Sequence, residues 1–401
     1  MSKPKVVFDP FSDDFFNSPY DTYRRMREET PVYYDEKYDF YALTRHEDVA
    51  PAYKNHETYS SARGTDLATV RSPEPPTPKS IIYMDPPDHR AMRSLLNKVF
   101  TPRAIQAQKQ TVIDTIDHYL SAANLDQFDV VQDFSAPFPV EVITAMLGVP
   151  PEHRQQIRLW VDATMRREPG QVEMTEAGLK AVTENAMFYL NLLQERRDDP
   201  RDDLFSQLLQ AEIERENGER TTLEDLEIAG FAVLLGAAGA ETVTKLIGNA
   251  AVLFGEHPDQ WQKLLDDPTK IPAAVEELLR YQAPSQYNVR WSLKDVCLHG
   301  VTIPAGNPVF LINGSANRDG AAWTDADKFD IDRDPNEAQN LGFGYGIHSC
   351  LGAALARLES AIALEKLLDF MPRYEVEWDG CQRVAMQNVA GWQNVPVTVI
   401  R

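Results

Sequence analysis

Over residues 31–44, PVYYDEKYDFYALT, aromatic and polar groups alternate around a short polar turn, a pattern that predicts a β-hairpin. Residues 64–88 break the rhythm. They carry Pro73, Pro75, Pro76, Pro78, Pro86 and Pro87, too many for regular structure, and read as a long loop. Such a loop is a lid or binding loop, or an inert surface excursion. From His89 to about Phe100 the apolar spacing is helical, and most of 104–215 continues in helical periods. Thr221 and Glu224 form a capping box ahead of a long helix that His257-Pro258 closes. That gives roughly 35 residues and about 50 Å at the helical rise. A further helix covers 271–282, and 287–312 holds strand-like stretches with an Ile303-Pro304-Ala305-Gly306 turn. Residues 351–370 read as an amphipathic helix and 373–401 as β-rich. The expected class is mainly α with a smaller β portion.

Composition narrows this picture. The chain has 401 residues with no Pro/Gly/Ser linker, repeat or low-complexity tract, so a single domain over 1–401 is expected. A net charge of -21 argues against a nucleic-acid partner. Cys297, Cys350 and Cys381 are odd in number and widely spaced, a reduced, cytoplasmic profile rather than a disulfide framework. The N-terminal MSKPKVVFDPFSDDFF lacks the long apolar run of a signal peptide or anchor. Ile228 to Ala240 is uncharged but shorter than the about 20 residues that span a bilayer. No membrane anchor is expected.

The chemistry gathers at Phe343-Gly344-Tyr345-Gly346-Ile347-His348-Ser349-Cys350-Leu351-Gly352. Glycines permit a tight turn that holds the thiol at the start of a helix, where backbone N–H groups favour the thiolate. One thiolate without nearby Cys or His partners does not make a zinc site. It suits a haem iron, whose porphyrin supplies four ligands itself.

Within the long helix, Gly236-Ala237-Ala238-Gly239-Ala240 is costly, since each Gly loses about 1 kcal/mol against Ala. Such a patch lets something flat or bulky approach the backbone. Thr242 can return its hydroxyl to the Ala238 carbonyl. Glu241 is either salt-bridged or used in proton transfer. Read alone, the segment fits close helix packing with an incidental Glu-Thr pair. Beside a thiolate haem ligand, Thr242 offers a hydrogen bond to bound oxygen and Glu241 a proton route.

Glu277 and Arg280 share a helix face and read as a structural clamp. The haem propionates need donors, and His89, Arg93, Arg290 and His348 flank the proposed site. Each alone could be a surface charge or a satisfied core histidine. Together they form a more specific set.

These residues resemble the cytochrome P450 family of haem-thiolate monooxygenases, in its soluble bacterial class. FGYGIHSCLG is similar to the family's cysteine-ligand signature, AGAET at 238–242 to its oxygen-activating helix, and Glu277-Leu278-Leu279-Arg280 to its Glu-x-x-Arg. DPPDHRAMR at 85–93 and ANRD at 316–319 resemble bacterial members. Val243 stands where many relatives have a second hydroxyl, and Gly320 where Pro is usual. The resemblance implies a triangular helical prism around haem b, and insertion of one oxygen atom from O2 into a C–H bond. It implies Cys350 as axial ligand, with Thr242 and Glu241 serving oxygen activation. His89, Arg93, Arg290 and His348 would hold the propionates, with Phe343, Gly344, Gly352 and Ala238 against the cofactor.

No Rossmann fingerprint or second domain is visible, so electrons are expected from a separate protein, by resemblance a ferredoxin with its ferredoxin reductase. Residues 89–113 contain Arg90, Arg93, Lys98, Arg103 and Lys109 without any acid, either a dock for an acidic partner or a solvated helix face. By resemblance the pocket draws on the proline loop, Leu234, Ala237, Ala238, Gln286, Asn288, Val289 and the Gly391-Trp392 turn. The expected substrate is an apolar or amphipathic small molecule such as a terpenoid, sterol or branched lipid. The competing readings are a haem-thiolate sensor or carrier, and a peroxide-driven oxidant.

Overall fold

The computed structural model describes residues 4–74, 76, 80–214 and 218–400. The chain is mainly α with a smaller β portion. Its axis is the helix Asp225–Glu256, which packs against helices Pro137–Leu147, Pro151–Met165, Glu176–Asp198 and Ala353–Phe370. These are called below the central helix, its three flanking helices and the ligand helix. The central helix has the length and apolarity of a bilayer span. It runs instead through the main core, where Ile228, Ala232, Ile247 and Ala250 are buried.

The helix starts three residues later than its expected capping box. Thr221 lies in a strand, Arg220–Thr222, paired with Glu212–Glu214, which keeps it extended. Glu224 is the N-cap instead, and its backbone N–H donates to Glu227 Oε2 at 2.8 Å. At the other end His257 is the C-cap and Pro258 opens the next helix, where its missing N–H costs nothing.

The hairpin appears as Val32–Asp35 and Phe40–Leu43. It joins a five-stranded sheet in the order Val32–Asp35, Phe40–Leu43, Pro308–Leu311, Asn288–Ser292, Tyr59–Ser60. Strand alternation there divides two tasks. Val289 turns into an aromatic core with Phe8, Phe40 and Phe310, while Asn288 and Arg290 turn to the opposite face.

Two expectations are corrected. The stretch 64–88 is not all loop. Leu67–Arg71 is helical, capped by a reciprocal Asp66–Thr69 box, and Ile81–Tyr83 is a 3-10 turn; Pro75 and Pro78 lie outside the described residues. Most of 104–215 is helical, as expected, with a short strand Phe128–Asp129 against Pro396–Val399 and a π-helical Val130–Ser135. The ligand helix is not amphipathic. Leu355, Glu359, Ser360, Ile362, Ala363, Leu364, Leu367 and Leu368 are all buried, covering more than one face.

Candidate active site

The Cys350 loop is built by two left-handed glycines, Gly344 at φ 66° and Gly346 at φ 72°. Its turn closes when the Cys350 N–H donates to the Phe343 carbonyl at 2.9 Å. Gly346 is doubly required, because a β-carbon there would stand 2.5 Å from the Tyr53 carbonyl oxygen. The thiol is open on one side, onto a cleft lined by Phe343, Gly344, Tyr345, Ala353 and Arg357. Elsewhere protein crowds the sulfur. That desolvation pushes its pKa up, against the pull of the Gly352 N–H and the charges of Arg93 and Arg357. The backbone N–H at the helix start favours the thiolate, as expected, but by less than burial opposes it. Burial wins, and a coordinated metal cation is what would deprotonate this sulfur.

Above that loop stand four donors without an acid. Arg290 is 5% exposed, and its Nη1 donates to the Val289 carbonyl at 2.9 Å. Arg93 is half-buried and close enough to feel the charge of Cys350. His89 and His348 face each other with ring centroids 4.4 Å apart, and the Nε2 atom of each is buried and unpartnered. Burial, with Arg93, pushes His89 down to about 4. Burial, with Arg290 and His89, pushes His348 to about 3. None of the four has a carboxylate partner among the described residues. The nearby Asp85 is engaged with Ser60 Oγ at 2.5 Å and the Ser61 N–H at 3.1 Å. Buried cations without counter-ions are costly, so this cluster fits a dianionic group.

On the central helix, Leu234, Ala238 and Thr242 form one stripe at i, i+4, i+8. They stay accessible while Leu235, Gly236, Ala240 and Glu241 beside them are buried. Thr242 Oγ1 donates to the Ala238 carbonyl at 2.8 Å. The small residues serve two purposes on different faces. Ala238 leaves the stripe open, whereas a β-carbon on Gly239 would meet Ile143 at 2.8 Å, and one on Gly236 would meet Tyr189 at 3.0 Å. Glu241, 2% exposed, makes a 3.1 Å ion pair with buried Lys245 and faces Asp162 on the flanking helix Pro151–Met165.

The cytochrome P450 family signature matches residues 269–386. Across the whole chain, the putative cytochrome P450 123 of Mycobacterium tuberculosis is 38% identical, over 98% of that protein. The chain belongs to the cytochrome P450 family. The erythromycin C-12 hydroxylase of Saccharopolyspora erythraea is 37% identical over 93% of this chain and 92% of its own. Among solved structures, CYP109E1 from Bacillus megaterium in complex with corticosterone superposes with a TM-score of 0.82 at 33% identity, covering 95% of this chain and 98% of that one.

A cytochrome P450 is a monooxygenase that binds haem b through a cysteine thiolate, and the residues of this P450 fit that group. It offers one thiol in a glycine turn, two imidazoles with unpartnered Nε2 atoms and two arginines without a carboxylate partner among the described residues.

The expected clamp lies deep in this P450. Arg280 Nε and Nη2 donate to the two Glu277 oxygens at 2.7 and 2.8 Å, and Nη1 donates to the Asn317 and Ala326 carbonyls at 2.8 Å. Sequence reasoning missed Arg333, whose Nε lies 3.3 Å from Glu277 Oε2. It missed Lys245 too, although its i, i+4 spacing from Glu241 was legible.

The expected substrate contacts divide. Leu234, Ala237 and Ala238 are accessible, and Asn288 is half-buried with its Nδ2 donating to Tyr53 OH at 2.9 Å. Gln286, Val289 and Trp392 are buried. Gln286 is fully buried, its Nε2 donating to the Ala283 carbonyl at 2.6 Å. Val289 belongs to the aromatic core, and Trp392 to the main core beneath the Arg383 guanidinium at 3.7 Å.

Proposed function

We propose that this P450 hydroxylates, or otherwise oxidises, an apolar small molecule such as a terpenoid, sterol or branched lipid in the cytoplasm. Electrons come from a separate ferredoxin and its reductase. The observation that carries the oxygenase reading is the acid–alcohol pair Glu241-Thr242 on a helix whose Leu234–Ala238–Thr242 stripe is kept open. With its thiolate-bound haem, the enzyme inserts one atom of O2 into substrate and reduces the other to water.

The chain's own residues take these roles. Cys350 would hold the iron. Arg93 and Arg290 supply fixed charge to the propionates, while His89 and His348 present their unpartnered Nε2 atoms. Phe343 packs by the sulfur, and Gly344, Gly352 and Ala238 keep close-approach surfaces clear. Thr242 would offer its hydroxyl on the open stripe and Glu241 would supply protons for oxygen activation. Glu277 and Arg280 fix the chain behind the ligand loop.

Substrate class rests on the apolar character of Leu234, Ala237 and Ala238, and on relatives whose names place a steroid and a macrolide with this fold. The redox partner rests on charge. Arg90, Lys98, Arg103 and Lys109 are exposed and form no ion pair among the described residues, on an otherwise acidic protein. The reduced, carbon-monoxide-bound absorption spectrum tests the ligation, and a spectrum without the thiolate signature defeats the reading. A screen by haem spectral shift tests the substrate class, and selective binding of small charged compounds defeats that part.

A further inference from the structure

Among the described residues, one group of side chains outside the haem site has the donor set for a metal ion. Glu47, Asp48 and His299 bring ligand atoms that all lie within 4.8 Å of one another. Two elements supply them. Glu47 and Asp48 stand in the first turn of the helix His46–Lys54. His299 lies at the tip of the hairpin formed by Val296–Leu298 and Val301–Ile303, where it and Gly300 take left-handed backbone at φ 50° and 78°. That turn carries the imidazole onto the helix. His299 Nε2 lies 2.8 Å from Asp48 Oδ2 and 3.9 Å from Glu47 Oε1. The Asp48 side chain is 6% exposed and that of Glu47 65%. No lysine or arginine pairs with Asp48 among the described residues, and Arg45 reaches Glu47 instead, at 3.6 Å. Burial pushes the Asp48 carboxyl up, against the hydrogen bond from His299. A carboxylate desolvated this far and balanced mainly by an imidazole favours a cation beside it.

We propose that His299, Asp48 and Glu47 form a structural site for a divalent transition metal of the zinc class. One imidazole nitrogen with two carboxylates suits Zn2+ and its neighbours, whereas Ca2+ and Mg2+ prefer oxygen alone. The separations of 2.8 and 3.9 Å bracket the edge of about 3.4 Å that a tetrahedron with bonds of about 2.1 Å requires. Three protein ligands leave a fourth position to water, on the exposed side of Glu47. Two features oppose tight binding: the positive end of the helix, and Arg45, which must release Glu47. The ion ties the hairpin to the helix His46–Lys54. That helix carries the Tyr53 carbonyl against which Gly346 of the cysteine loop is seated. The metal therefore steadies the support of the haem-ligand loop from outside, and takes no part in the oxidation.

Untagged holoenzyme, stripped of loose metal with EDTA, is titrated with Zn2+ against a chromophoric zinc indicator. One Zn2+ per chain should bind at this site, and excess Ca2+ or Mg2+ should not displace it. His299→Ala and Glu47→Gln should each weaken binding about 10-fold or more, since even the partners behind a ligand are worth that much. Zn2+ should also raise the thermal unfolding temperature of the wild type and leave that of H299A unmoved. Affinity equal in wild type, H299A and E47Q means an adventitious ion only and overturns the site. So does an absence of Zn2+ binding, or an equal thermal shift in wild type and H299A. Should H299A disturb its hairpin turn, E47Q decides the matter by affinity alone, because that side chain is largely exposed.

Discussion

The aliphatic stem of Lys245 occupies the space that a side chain at Gly391 would need: a β-carbon there would stand 2.6 Å from Lys245 Cβ and 3.0 Å from Cδ. The turn at 391 therefore holds the lysine that holds Glu241. Gly391→Ala must displace that stem, and overpacking of this kind costs about 1–3 kcal/mol. Thermal unfolding should show the loss. Product per electron should fall too, because Lys245 no longer sits on Glu241.

Thr242→Ala removes the hydroxyl bonded to Ala238 and leaves the helix intact. Electron consumption should continue while product per electron drops about 10-fold or more, given the usual worth of a positioned proton donor. Parallel assays of electron consumption and product decide it; equal coupling in T242A and wild type means Thr242 has no part in oxygen activation.

Breaking the Glu277–Arg280 pair strands a buried charge. Arg280→Ala should cost about 3–5 kcal/mol, the usual penalty for removing one partner of a buried pair. Arg333 remains as a second cation on Glu277, so E277Q, which strands both arginines, should be at least as damaging. Denaturant melts and haem content of the purified variants measure the effect.

The His89–His348 pair makes stability depend on acid. Both imidazoles sit below their ordinary 6.5 in the folded chain, at about 4 and about 3. Unfolded chains bind more protons throughout that window, so stability falls as pH drops from 6.5 towards 4 and is full above it. Propionate anions beside the rings would raise both values. The haem-free protein should thus show a steeper pH slope than the holoenzyme in urea titrations, and H89Q should flatten it.

Reversing Lys98 and Arg103 to Glu should slow ferredoxin-supported turnover and spare peroxide-supported turnover. Both are exposed, so folding should be unaffected. Equal effects on the two assays would remove this face as the docking surface.

Much of this was legible where local pattern and tertiary need agree. The hairpin at 32–43, the helix Asp88–Val99 and the strands of 288–311 follow their hydrophobic spacing closely. The capping box was misplaced because strand pairing claimed Thr221, a long-range demand no local motif records. The ligand helix misled because Glu359 and Ser360 read as a polar face but are buried. Site residues carried by contiguous motifs, such as Cys350 and Glu241, could be named from sequence. Asp162 and Arg333 could not, since each acquires its meaning only by packing against a carboxylate distant in the chain.

The close approach of Gly346 to Tyr53 has a consequence for how the enzyme is made. The helix His46–Lys54 must already be in place for the cysteine loop to seat against it, and the two are far apart in chain order. His89 and Arg93 emerge early in synthesis, Arg290, His348 and Cys350 late. A nascent chain thus carries half of the proposed propionate donors long before it carries Cys350. A chain cut short of Cys350 should therefore fail to take up haem and be marked by its lack of colour.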